Sequence, residues 1–134
     1  MTTTAPVTTA VRPDGGIGLE AALRDAIEGE IAFDDYTRHL FARDASMYSI
    51  TPVGVVFPRH ADDVAAAVRL AAAHGVTVTA RGAGTSLVGQ TVGAGLVVDC
   101  SRHLNRILEI DPEARTARIE PGVVMSSLQR AAAR

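Results

Sequence analysis

Several residue types are missing or scarce in this 134-residue chain: it has one cysteine, no tryptophan, no lysine and few aromatics. One cysteine makes no internal disulfide, no iron–sulfur cluster and no zinc site. Cys100 lies in an apolar run and is expected to be a buried, inert thiol. The basic residues are all arginines, scattered among acids to a formal net charge of -2. That pattern excludes the basic stripe of a nucleic-acid surface. No apolar run approaches the roughly 20 residues that span a bilayer. The start lacks the basic region and apolar core of a secretory leader, so the expected compartment is the cytoplasm.

What is present suits one domain with a real core, nearly half of the residues being apolar (47%). Residues 1–16 are rich in Thr, Ala, Pro and Gly without periodicity, as in a disordered tail. A helical lead-in over 17–52 is expected, with Leu19, Leu23, Ala26 and Ile27 on one face and a second short helix over 33–42. The apolar run 53–57 reads as a strand between Pro52 and Pro58. A helix follows through His74, with Asp62 and Asp63 in its first turn, favourable to the helix dipole, and Gly75 after its end. Residues 76–80 read as a buried strand. Strand, helix and strand at this spacing make a βαβ unit with parallel strands and a right-handed crossover. Residues 95–100 form a further buried strand, and 106–110 and 116–120 form a hairpin around the turn residues Asp111 and Pro112. A last helix begins at 123 and runs to Arg134 without a cap, as expected of a piece of a longer polypeptide.

Between the strands at 76–80 and 95–100 lies Arg81-Gly82-Ala83-Gly84-Thr85-Ser86-Leu87-Val88-Gly89-Gln90. Consecutive small residues let backbone N–H groups turn toward one point, a concavity that binds anionic oxygen. The alternative is a glycine-rich hairpin connection. Gly84 and Gly89 have the spacing of a P-loop, but Gln90 stands where that loop needs lysine, and a neutral amide cannot replace the cation. Gly82 and Gly84 match the first two glycines of the dinucleotide fingerprint, but Leu87 stands where the third belongs. That motif also opens a helix after the first strand of its unit, whereas this loop follows the second. An anion here would be held by backbone N–H groups, the Thr85 and Ser86 hydroxyls and the Arg81 charge. No acidic metal ligand accompanies the loop, so a pyrophosphate fits better than a triphosphate handled with a metal.

The combined order resembles the FAD-linked oxidase family, with a flavin-binding domain of the vanillyl-alcohol-oxidase or PCMH type. The residues that carry the resemblance are Val55-Val56-Phe57-Pro58, Asp63-Val64, His74-Gly75, Arg81 to Ser86, Leu96-Val97-Val98-Asp99, Ser101, Asn105-Arg106-Ile107 and Glu120-Pro121-Gly122-Val123. The likeness is strongest to bacterial D-lactate, glycolate and D-2-hydroxyglutarate dehydrogenases. Arg43-Asp44-Ala45-Ser46 and Tyr48 resemble the start of the long members that carry a C-terminal iron–sulfur region.

The resemblance implies an α/β (α+β) fold. A first subdomain with a small mixed sheet, a βαβ unit and flanking helices would occupy 53–120, and a second would begin at 121–134. It further implies that Gly82, Ala83, Gly84, Thr85 and Ser86, with Arg81, wrap the FAD pyrophosphate. Gly89 and Gln90 would continue the contact, Ser101 would line the flavin side, and Pro121 and Gly122 would approach the cofactor. Some relatives bind FAD covalently through a histidine in this loop; this loop has none, so noncovalent FAD is implied. His39, His60, His74 and His103 are expected to be caps or surface residues. The parent enzyme would oxidise a small 2-hydroxy acid, with no catalytic residue and no metal ligand in this chain. The alternative is a stand-alone, non-catalytic nucleotide-binding or interaction module.

Overall fold

The computed structural model describes residues 15–133, with side chains from Gly18 onward. The expected tail at 1–16 falls almost wholly outside them. The element order is α1 (Gly15–Ala26), β1 (Glu30–Ala32), α2 (Asp35–Leu40), β2 (Gly54–Phe57), α3 (Ala61–Ala73), β3 (Val78–Arg81) and β4 (Leu96–Asp99), then β5 (Ile107–Asp111), β6 (Thr116–Ile119) and α4 (Met125–Ala132).

Four strands form one sheet in the order β1-β2-β4-β3, and β5 and β6 form a separate hairpin. β2 and β3 both run parallel to β4, while β1 is antiparallel to β2. The mixed α/β architecture is thus the expected one, with three differences in detail. The βαβ strands are not neighbours, because β4 is inserted between them. β3 is an edge strand that alternates exposed and half-buried residues rather than a buried one, because it has a partner on one side only. β1 takes three residues from within the expected helical lead-in, and α2 is only six residues long.

β2 and β4 are buried at every position, which is why they read as unbroken apolar runs. Alternate residues serve opposite faces. Val56, Leu96 and Val98 pack with Leu19 and Leu23 of α1, Ala67 and Ala71 of α3, and Cys100 and Leu104. Val55, Phe57 and Val97 pack on the other face with Ala32 and Phe41.

Buried Asp63 joins α3 to the chain before β1, accepting from the N–H groups of Glu28 and Arg59, each at 2.9 Å. Burial opposes its ionisation, but these N–H groups outweigh it and hold the carboxyl below the usual range. By contrast, β6 is exposed throughout and α4 buries no residue among those described.

Candidate functional site

The glycine loop, residues 82–95, joins β3 to β4. Because these strands are parallel neighbours, the hairpin alternative is excluded: a hairpin joins antiparallel strands. The loop must cross from the end of one strand to the start of the next, and it does so without a helix.

Its shape is fixed from inside and from behind. Gly84 has φ +67°, and a Cβ there would run into the Arg81 guanidinium, so both backbone conformation and space require glycine. The Ser86 hydroxyl accepts from the N–H groups of Gln90 (3.1 Å) and Val88 (3.3 Å), closing a tight turn at the loop tip. Among the described residues, no protein acceptor takes the N–H groups of Ala83, Gly84, Thr85, Ser86 or Leu87. Five consecutive donors without protein partners suit an anion, which can accept from several at once.

Arg81 does not reach outward. Its Nη1 donates to the carbonyls of Arg43 (2.9 Å) and Thr91 (3.3 Å), its Nε lies 4.0 Å from Asp99 Oδ2, and its guanidinium stands 5.0 Å over the Phe41 ring. Only 11% of the side chain is exposed. Its charge is used to hold the loop.

Asp99 continues the thread. It is buried and accepts from the Ser101 N–H (2.9 Å) and hydroxyl (2.6 Å), which orients Ser101 at the end of β4. Asn105 Nδ2 donates to the Ser101 carbonyl at 3.1 Å. The turn at 101–105 is then tied to the start of the next segment, since the Gly122 N–H donates to Leu104 O at 2.7 Å. Glu120 accepts from the Arg106 N–H (2.7 Å) and from its Nη2 (2.7 Å) and Nε (3.1 Å), which holds the Glu120 carboxyl below its ordinary range.

These ties gather three distant parts of the sequence around one open pocket of about 230 Å³. Ala83 of the glycine loop, Ser101 and Asn105 after β4, and Gly122 to Val124 before α4 line it. Gly82 faces the Pro121 carbonyl, 3.8 Å from where its Cβ would stand. Gly89 and Gln90 do not line the pocket. They sit at the loop tip and behind it, Gly89 against the Tyr48 ring and Gln90 on Ser86. The Thr85 side chain is exposed.

The histidines lie away from the loop. His60 caps α3, His74 ends it, His39 Nδ1 is 2.7 Å from Asp35 O, and His103 is 2.9 Å from Glu30. Cys100 is buried, and burial followed by the nearby Asp99 charge pushes its thiol upward, away from reactivity. Among the described residues, no group of three or more metal-ligating side chains occurs. No helix there is long and apolar enough to cross a membrane.

Sequence reasoning assigned no role to Asp44, Ala45 or Asp99. The Ala45 N–H donates to Gly84 O at 3.1 Å. Asp44 Oδ2 accepts from the Thr91 hydroxyl (2.9 Å) and N–H (3.4 Å), while its Oδ1 accepts from the Ser46 hydroxyl (2.5 Å) and N–H (2.9 Å). The Ser46 hydroxyl above all, then the Ser46 N–H and Thr91, bring the Asp44 carboxyl down to about 2. The signal was partly visible, since Asp44 and Ser46 stand in the stretch that carries the family resemblance.

Comparison with known proteins agrees with this geometry. Over 119 residues the chain is 43% identical to a D-2-hydroxyglutarate dehydrogenase of Pseudomonas putida, covering 84% of this chain and 12% of that protein. Over 110 residues it is 36% identical to the glycolate oxidase subunit GlcD of Bacillus subtilis, covering 78% and 23%. The chain thus spans less than a quarter of the length of each of these two relatives. Among solved structures, p-cresol methylhydroxylase superposes with a TM-score of 0.71 at 15% identity, over 91% of this chain and 25% of that one. The 6-hydroxy-D-nicotine oxidase of Arthrobacter nicotinovorans gives 0.69 at 31% identity, over 80% and 24%. The family model described as an FAD binding domain matches residues 52–134, which include β2 to β4, the glycine loop and the whole lining of the pocket, and the chain belongs to that family.

Proposed function

We propose that this chain is the pyrophosphate-holding part of a flavin-dependent 2-hydroxy acid dehydrogenase, and that its FAD is bound noncovalently. One observation carries this reading: the unpartnered N–H groups of 83–87 lie in a loop that opens on the same pocket as Ser101 and Gly122. The backbone N–H groups of residues 83–87 would donate to the pyrophosphate, with Gly82 at the loop's start and Gly89 and Gln90 closing the turn behind it. Ser101, Pro121 and Gly122 would flank the cofactor on the far side of the pocket. Arg81 would serve the site by holding the loop, because its donors already face Arg43 and Thr91.

No loop histidine offers a covalent attachment. FAD supplies the two-electron acceptor for oxidising the C–OH carbon of the substrate. Within residues 1–134 no side chain is proposed to touch that carbon. The relatives' names support a substrate such as D-2-hydroxyglutarate or glycolate, and we place the enzyme in the cytoplasm. We take residues 53–120 as the first subdomain and 121–134 as the start of the second.

Thermal-shift titration of the 134-residue chain tests the reading. FAD and ADP-ribose, which share a pyrophosphate, are expected to raise the melting temperature, and riboflavin is not. Stabilisation by riboflavin alone, or by none of the three, would contradict it. Flavin absorbance is not expected to survive gel filtration of this chain, which spans 12% of the Pseudomonas putida relative.

A further inference from the structure

We infer that residues 42–50 are a latch that sets the shape of the glycine loop, with Asp44 as its positioning residue. This deepens the proposed function, since it rests on the loop being the anion cradle. The segment is a small closed unit. Arg43 and Ser49 form an antiparallel bridge, and the Ile50 N–H donates to Ala42 O at 2.9 Å.

It meets the loop at four points spread over the loop's length. At its start, Arg81 Nη1 donates to Arg43 O; at the first turn, the Ala45 N–H donates to Gly84 O. At the tip, Gly89 (φ +77°) packs so closely on the Tyr48 ring that a Cβ would stand 2.7 Å from Cδ2. Beyond the tip, Thr91 gives both its hydroxyl and its N–H to Asp44 Oδ2. These contacts join residues 38 and 47 positions apart, and no helix spans the loop to do the same work.

The latch also determines which way the loop faces. Gly84 turns its carbonyl to Ala45, so that group is directed toward 42–50 and away from a bound anion. Asp44 puts a carboxylate behind the loop, where the Ser46 and Thr91 donors compensate it. The occupied carbonyl and carboxylate are thereby accounted for, and the N–H groups of 83–87 are left for an anion. Without the latch, the loop has the entropy of 14 glycine-rich residues to lose on binding.

The test is residue-resolved amide hydrogen exchange on the 134-residue chain without ligand, comparing Asp44→Ala, Thr91→Val and Thr91→Ser. Asp44→Ala is expected to speed exchange at the bonded amides of Ala45, Val88, Gln90 and Thr91 by about tenfold or more, with the amides of β4 unchanged within about twofold. Thr91→Val should give a smaller acceleration at the same positions, and Thr91→Ser, which keeps the hydroxyl, should restore protection. A merely structural role would accelerate β4 and the loop together. That result, or an unchanged loop in Asp44→Ala, would overturn the latch.

A second arm follows ADP binding by amide shifts, where Asp44→Ala should raise the ADP midpoint about tenfold. An unchanged midpoint despite a loosened loop would overturn the claim that the latch prepares the site. If the unmutated chain shows no response to ADP, the cradle reading fails by itself, and the exchange arm still decides the latch.

Discussion

Two connections in this molecule do the same topological work by opposite means. Between β2 and β3 the chain crosses through α3, which buries Ala67 and Ala71 on the sheet. Between β3 and β4 it crosses through a loop without a helix, whose fixed points are hydrogen bonds to residues 43–45. The first spends its backbone donors on itself and gains apolar burial. The second leaves a row of donors open, and its order has to be supplied by another segment. A binding loop that packed as α3 does would have no N–H groups to offer.

If burial dominates the sheet and hydrogen bonds dominate the loop, substitutions should separate the two. Leu96→Ala, in the fully buried β4, is expected to lower stability by about 2–5 kcal/mol in denaturant unfolding. A loss under about 1 kcal/mol would break the comparison at its stronger end.

Asp63→Ala removes the acceptor of two N–H groups at the entry to α3, and about 1–3 kcal/mol of destabilisation should follow. Since the Asp63 carboxyl is held below its ordinary range, its contribution is fully present above the unfolded carboxylate value. It is lost as pH falls through the lower folded value. The unmutated chain and Asp63→Ala should therefore converge in stability toward acid; a gap that widened instead would contradict the assignment.

Gly84→Val places a side chain at φ +67° against Arg81 and should cost about 1–2 kcal/mol while abolishing the response to ADP. A full ADP response in that variant would show that the loop's shape is not what the ligand reads. At the smallest end, Cys100→Ser should leave the ADP midpoint within about twofold, because the thiol faces the core cluster and not the pocket.

The core was the readable part. β2, α3 and β4 are visible because burial selects residue type: Val55-Val56-Phe57 and Leu96-Val97-Val98 can be little else than strands buried on both faces, whereas the exposed β5–β6 hairpin shows through its turn residues Asp111 and Pro112. Strand order was not visible, since nothing in Val78 or Thr79 says which neighbour they pair with, and β4 took the place beside β2. β1 escaped because Glu30-Ile31-Ala32 is three residues at an edge, too short to show a period.

Within the proposed site, the small residues of 82–86 pointed to an anion cradle, and at Gly84 the positive φ and the Arg81 guanidinium make glycine a physical requirement. The direction of Arg81 could not be read, since its partners are the carbonyls of Arg43 and Thr91, and every residue has a carbonyl. The same holds for Ala45, which acts through its N–H alone.

In the proposed site the backbone of residues 83–87 meets the pyrophosphate. A ¹⁵N amide titration of the 134-residue chain with ADP tests it most directly. The account predicts that the N–H resonances of Ala83 to Leu87 shift most, with smaller changes at Ser101 and Gly122 and none in α3. Shifts that spare 83–87, or that centre on α3 or the β5–β6 hairpin, would contradict it.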